Sequence, residues 1–407
     1  MQKLIVAAGL AFTACHNPYY CAGNPDNNCN EGGPNDAKPD TMEALDCVAM
    51  GCTGDKVCDT GTHACVDCTD SNPGTCAGTL PVCHQDTCHA CVANVECTTS
   101  DACMPDGSCA DKTDVAYVKA TGGADNATCD KDNPCATLAA GFLAKHIVRA
   151  SGSFATPVTV ATGSYTLLGD RNGQTLMTTL TSAPTQLLVS TGATLSARDV
   201  AFTGSTDVAV KSAGTLTLDR CEIKSGTNIG LQTTAGTLIV THSKITGNML
   251  GGIKLDTTTF HISNTVIAEN PGPFGGMFVS FGNGTINFTT IANNVDANDG
   301  NSRGISCAST TVTLNSVLLQ GNTGPQQSGS GCSFTYSSFF PDAVGTIPSG
   351  TGNVRVQTQF LAPHDFHLAS GSPLKDQADP AATLPNDIDG DARPQGNVRD
   401  IGADELM

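Results

Sequence analysis

Three sets of residues have the types and spacing to do chemistry. Lys254 and Asp256 stand two apart in an alternating segment, which on a strand points both side chains to one face. An acid beside a base on a flat surface is part of what a polysaccharide lyase or glycoside hydrolase needs. The rest is a second carboxylate, or calcium-binding acids beside the basic residue. The neighbouring repeats supply no second carboxylate, so the pair also reads as a solvated ion pair. Asp387, Asp389 and Asp391 offer hard oxygen ligands at alternate positions, the kind Ca²⁺ takes. Gly390 is misplaced for an EF-hand loop and Val398 stands at its twelfth position. The alternative is that Arg393 and Arg399 pair with these carboxylates and cap the end of the fold. No other cofactor is called for. The third set is the cysteines, 20 in all, twelve of them between Cys47 and Cys109. Cys65/Cys68 and Cys88/Cys91, with His63, His84 and His89 nearby, match zinc spacing. Such density in an exported chain favours disulfides instead.

Export is written in the first residues. Lys3 is a short positive region, and Leu4 to Phe12 is apolar but too short to span a bilayer. It ends Phe12-Thr13-Ala14-Cys15, which resembles a lipobox, so residues 1–14 are expected to be a lipoprotein signal and Cys15 the lipidated residue. An ordinary signal peptide, or a misplaced start, is the other reading. The lipid anchor would make a membrane one partner, with the chain on the outer membrane surface or secreted. The formal net charge of −18 argues against a nucleic-acid partner, because a phosphate backbone would meet a like-charged surface. Charge is also uneven: from Cys15 to Asp114 there are 16 acidic residues against three basic ones, a net −13.

Residues 15–46 read as a flexible linker, rich in Asn, Pro, Gly and Asp, in which Cys21 and Cys29 can pair. Residues 47–112 read as a stalk of cysteine repeats. Cys52, Cys58, Cys65 and Cys68 make one copy; Cys76, Cys83, Cys88 and Cys91 a second; Cys97, Cys103 and Cys109 a third that lacks its last member. With few large apolar residues between them, covalent links must order this region.

A different pattern follows. Residues 113–192 begin with the alternating strand Ala116 to Ala120. A loop carries Cys129 and Cys135, six apart and plausible as a bridge, and a helix-like run goes from Pro134 to Leu143. From 193 to 349 a solenoid period appears. Thr194, Thr215, Thr237, Thr259, Thr285 and Thr311 open similar segments at intervals of 21, 22, 22, 26 and 26, and Ser333 opens a seventh. Each copy has a second strand ending on an apolar residue (Phe202, Ile223, Ile245, Ile267, Ile291, Leu318) and a third with an apolar pair such as Ile253/Leu255. Three short strands per turn describe a coil of a parallel β-helix, whose inner face is buried only by stacking on its neighbours. Asn248, Asn270 and Asn294 share a bend, where a structural hydrogen-bonded stack is preferred to a binding row. Cys221 shares an inward row with Val200, Ser243 and Thr265 and reads as a free, inert thiol; Cys307 and Cys332 are placed to bridge successive coils.

Residues 350–407 do not repeat. Asp387-Ile388-Asp389-Gly390-Asp391-Ala392-Arg393-Pro394 and Asp400-Ile401-Gly402-Ala403-Asp404-Glu405 together resemble the C-terminal part of the "choice-of-anchor Q" β-helix proteins of bacterial surfaces. The resemblance covers roughly residues 115–407 and implies an all-β fold, a right-handed, pectin lyase-like parallel β-helix. The right hand also follows from the general preference of parallel crossovers. It implies a surface location and no single chemistry; the last segment would be the C-terminal cap.

The extra residues of the two long repeats fall at one turn, from Asn270 to Gly276 and from Asn294 to Gly304. Insertions stacked on one side of a solenoid often make its contact face. Phe274, Asp296, Asp299 and Arg303 are therefore the binding candidates. The expected function is a non-enzymatic surface lipoprotein, adhesive, carbohydrate-binding or structural, whose partner is an extracellular polysaccharide or another cell surface. The rival is a secreted lyase or hydrolase acting on an acidic polysaccharide through Lys254 and Asp256.

Overall fold

The computed structural model describes residues 47–50, 52, 56–69, 72, 76–173, 175–181, 184–295, 304–308, 311–341 and 347–407. Cys15, Cys21, Cys29, Asp296, Asp299 and Arg303 lie outside the described residues. Among the described residues no helix is long and apolar enough to cross a membrane.

The chain winds into a parallel β-helix with three sheets. The first sheet has ten strands, from Val115–Lys119 to Cys332–Thr335; the second has nine, from Ser153–Phe154 to Ser338–Phe340; the third has eight, from Val158–Val160 to Gln327–Ser328. Stacking therefore starts well before residue 193. Inward rows run the length of the core: Leu195, Leu216, Leu238 and Phe260 follow one another in the first sheet, and Phe202, Ile223, Ile245, Ile267 and Ile291 in the second. All are at most 3% exposed, and burying each such side chain contributes about 1.5–3 kcal/mol.

Register differs from the sequence expectation at three places. Thr259 pairs with Asn283, Thr285 with Thr313, and Thr313 with Ser333, each two residues from the expected alignment. A shift of two preserves pleat parity, so the inward set stays inward and the hydrophobic pattern cannot tell the registers apart. What selects the observed one is packing: Gly284 lies over Phe260, and a Cβ there would come within 2.6 Å of the ring. In the second sheet Leu319, not Leu318, continues the inward row, since Ile291 pairs with Leu319.

Two corners recur in coil after coil. Between the first and second sheets one residue takes a positive φ: Asp199, Arg220, His242, Asn264, Phe288, Ser316 and Tyr336. Just after the second sheet Ser225, Gly247, Glu269, Asn293 and Gly321 do the same. Next to this second corner Asn248, Asn270 and Asn294 form the expected stack, and Asn322 continues it. Each Oδ1 accepts the backbone N–H of the residue one coil below, at 3.0 Å for Asn270, Asn294 and Asn322, and each Nδ2 donates to a backbone carbonyl. All four are at most 4% exposed, so the row is structural and not a binding surface.

Both ends of the stack are covered. At the N-terminal edge the Cys129–Cys135 loop pairs with the strand Val115–Lys119: Tyr117 N–H donates to Cys129 O, Cys135 N–H to Tyr117 O and Lys119 N–H to Cys135 O. The helix Leu138–Ala144, capped by Thr137, fits there because Gly141 lets it approach Val118 and Val148. At the other edge Tyr336 N–H donates to Thr351 O, and Asn353 accepts from Ser337 N–H. Cys307 and Cys332 are bonded across consecutive coils, and Cys221 is buried and free.

The cysteine repeats begin one cysteine earlier than the sequence suggests. The bonds are Cys47–Cys58 and Cys52–Cys65, Cys68–Cys83 and Cys76–Cys88, Cys91–Cys103 and Cys97–Cys109. Each unit pairs its first cysteine with its third and its second with its fourth, so all three are complete. The C-x2-C motifs straddle unit boundaries, and each of their cysteines is taken up in a disulfide. The last unit is docked on the solenoid: Arg198 donates to Met104 O at 2.9 Å, Arg220 to Val92 O at 2.7 Å and Arg149 to Asp101 O at 2.7 Å.

Two outcomes follow. Asn270→Ala strands the N–H of Asn248 and the carbonyl of Ile245, and with unmet buried groups costing about 1–3 kcal/mol each, denaturant unfolding should show a loss of about 3 kcal/mol. Non-reducing peptide mapping should recover Cys91 linked to Cys103 and Cys97 to Cys109, and no Cys88–Cys91 link.

Candidate functional site

The outward positions of the second sheet change character along its length. Glu222, Lys224, Lys244 and Thr246 flank inward isoleucines and are partly exposed. From Val266–Ala268 through Thr290–Ala292 to Leu318–Gln320 every position is buried. The C-terminal segment covers them. Phe366, Ile388 and Ala403 pack on Val266, Ala268 and Ala292, and Leu368, Leu374 and Ile401 pack with Leu318 and Phe288. Ala403 N–H donates to Thr290 Oγ1 and Asn264 Nδ2 to Asn386 O. The expected cap therefore lies, beyond its first residues, along the side of the solenoid.

Where this cover stops, a groove of about 390 Å³ opens. Glu222, Lys224, Lys244 and Val266 form one wall; His364, Phe366 and His367 form the other. Glu222 pairs with Lys224, and Glu269 with His364 at 2.5 Å. Lys244 forms no ion pair within 4.0 Å among the described residues, and it also lines a smaller adjoining cavity with Asp389 and Arg220. His367 is held from both sides, Nδ1 by Asp365 and Nε2 by Asp389 at 2.5 Å. The hydrogen bond to Asp389, outweighing burial and aided by Asp365, pushes His367 up to about 9. Burial would raise Asp389, but His367 outweighs it and holds that carboxyl below its usual range.

Lys254 and Asp256 come together, Nζ to Oδ2 3.6 Å, with the ammonium 5.1 Å from the centre of the Phe274 ring. Phe274 meets Phe278 edge-on at 5.7 Å. This ledge is on the third sheet, separate from the groove. The expected calcium set does not converge. Asp387 is buried and accepts the N–H groups of Asp389, Asp391 and Glu405; Asp389 turns to His367; Asp391 is exposed. Arg393 does not pair with these three: it is buried against Glu405 at 3.4 Å, donates to Asp400 O and Gly402 O, and stacks on Phe288. Arg399 donates to Leu384 O. Among the described residues, the carboxylates grouped closely enough to hold a metal are Asp389 and Asp404, with His367. Sequence reasoning missed the groove because it examined the third strand's outward row. The available signal was the shift from Glu222-Ile223-Lys224 and Lys244-Ile245-Thr246 to strands apolar on both faces, Val266-Ile267-Ala268 and Thr290-Ile291-Ala292.

Because its folded value is raised, His367 contributes stability that is fully present below about pH 6.5 and is lost as pH rises through about 9. Allowing for partial exposure, the metal-free protein should lose on the order of 2 kcal/mol across that window. Thermal melts of His367→Gln should lack that part of the pH slope.

No family model matches the chain, and no curated protein matches it. Two solved chains do. One is described as "Crystal structure of pectate lyase Pel9A", 14% identical, with 72% of this chain and 96% of that chain covered at a TM-score of 0.43. That similarity is too distant to carry any chemistry to this chain, whose own strands and sheets define it as a parallel β-helix.

Proposed function

We propose that this chain is a non-enzymatic carbohydrate-binding protein of the cell surface, tethered through Cys15, with the lateral groove as its binding place. The observation that carries the reading is the two-sided lining of the groove. Val266, Phe366 and Ile388 make an apolar strip, rimmed by Lys224, Lys244 and Thr246. A sugar ring is two-sided in the same way, with C–H faces and a rim of hydroxyls, and pockets recognise such ligands by apolar walls with a few placed polar groups. Lys244, free of an ion pair among the described residues, is the group available to a ligand oxygen. The ledge of Lys254, Phe274 and Phe278 offers a second contact surface on another face.

A glycan array that includes uronic-acid polysaccharides tests the reading. The full-length protein should bind at least one class without turnover, and Lys224→Ala/Lys244→Ala should weaken it about tenfold, or about 1.4 kcal/mol. Unsaturated products or new reducing ends, abolished by Lys254→Ala/Asp256→Ala, would establish the lyase or hydrolase instead.

A further inference from the structure

Beside the groove, behind His367, lies a cluster that sugar binding does not use. His367, Asp389 and Asp404 each present a ligand atom, and all three atoms lie within 4.8 Å of one another. Asp365 engages His367 Nδ1 and Asp389 engages Nε2. A carboxylate on the far nitrogen is what commonly orients a metal-ligating histidine. Asp404 supplies the second observation. It is 7% exposed, its Oδ2 accepts only the Leu368 N–H at 2.7 Å, and no Lys or Arg among the described residues lies within 4.0 Å of it. Two carboxylates held together and largely out of water call for a shared cation; in the metal-free protein the His367 imidazole fills that role, and a metal ion would take it over.

We infer that His367 Nε2, Asp389 and Asp404 bind a divalent transition-metal ion of the Zn²⁺ class, with an open coordination position toward the groove. An imidazole donor favours such an ion over Ca²⁺ or Mg²⁺. Donor separations in a tetrahedral zinc site are about 3.3 Å, between the 2.5 Å of the His367–Asp389 contact and the 4.8 Å limit of the cluster. Small side-chain rotations therefore suffice. On binding, any proton on Nε2 leaves to solvent. His367 lines the larger cavity and Asp389 the smaller one, so the open position faces the place proposed for the sugar. Only that last link rests on the carbohydrate reading.

Chelator-treated full-length protein titrated with Zn²⁺ in a calorimeter should take up one equivalent at micromolar affinity or better. Asp389→Asn and Asp404→Asn should each weaken uptake at least tenfold, while Lys254→Ala leaves it unchanged. Should Asp404→Asn fail to fold, Asp389→Asn and the absorption bands of Co²⁺ in the unaltered protein decide. No uptake, or uptake that persists in the variants, overturns the inference. Sugar binding insensitive to chelator, in a protein that takes up no zinc, removes the metal site alone; zinc uptake with no sugar binding removes the carbohydrate reading alone.

Discussion

The solenoid depends on the chain turning the same corner in successive coils. That corner is held by a positive-φ residue and the asparagine beside it, whose side chain closes the backbone of its own coil and the preceding one. Asparagine suits the place because its amide supplies a donor and an acceptor together. With the row sealed from water, each bond replaces one the backbone would otherwise lack. Insertions such as the loop bearing Phe274 then project outward after the ladder residue without disturbing the stack. Outward side chains come into straight rows one coil apart, and the groove and the Lys254 ledge are built from such rows.

The C-terminal segment uses carboxylates in two ways. Asp387, Asp400 and Glu405 are buried and accept backbone N–H groups, two or more each, tying turns that lack regular structure. Burial still tells on them: Asp400 is pushed up to about 6. Arg393 supplies one buried cation among them. Asp365, Asp389 and Asp404 instead gather round His367, at the margin of the cover. The same segment thus closes the outer face of three coils and gathers three carboxylates round one imidazole where the closure ends.

The cysteine region reaches order by another route. Its hairpins are short, and the third and fourth cysteines of each unit face one another, as Cys58 faces Cys65 and Cys83 faces Cys88. They bond not to each other but back to the first and second, so each unit is cross-linked twice in place of a core. The last unit gains non-covalent support from Arg149, Arg198 and Arg220, two of them at or beside a corner of the solenoid. Its carbonyls meet those guanidinium groups, which are also balanced by Asp170, Asp199 and Asp219.

The sequence by itself determined the repeat, the parity of each strand, the three visible members of the asparagine stack and the covalent character of the cysteine region. These are local or strictly periodic properties: alternation sets which side chains point inward, and recurrence sets the coil. Only the tertiary structure decided the register of the later coils, because alignments two residues apart bury the same set and Phe260 must find Gly284 before one wins. Asn322 escaped notice because 28 residues separate it from Asn294. The position of the C-terminal segment was likewise undecided, since an apolar stretch fits an end or a side until its partners are known. Leu318 shows the difficulty: apolar beside an apolar neighbour, it reads as core, yet it faces outward under Leu368 and Ile401. The groove, and His367 between its carboxylates, exist only where that cover meets the sheet. Residues nearly a hundred positions or more apart, as Glu269 and His364 are, meet there through burial that no local pattern encodes.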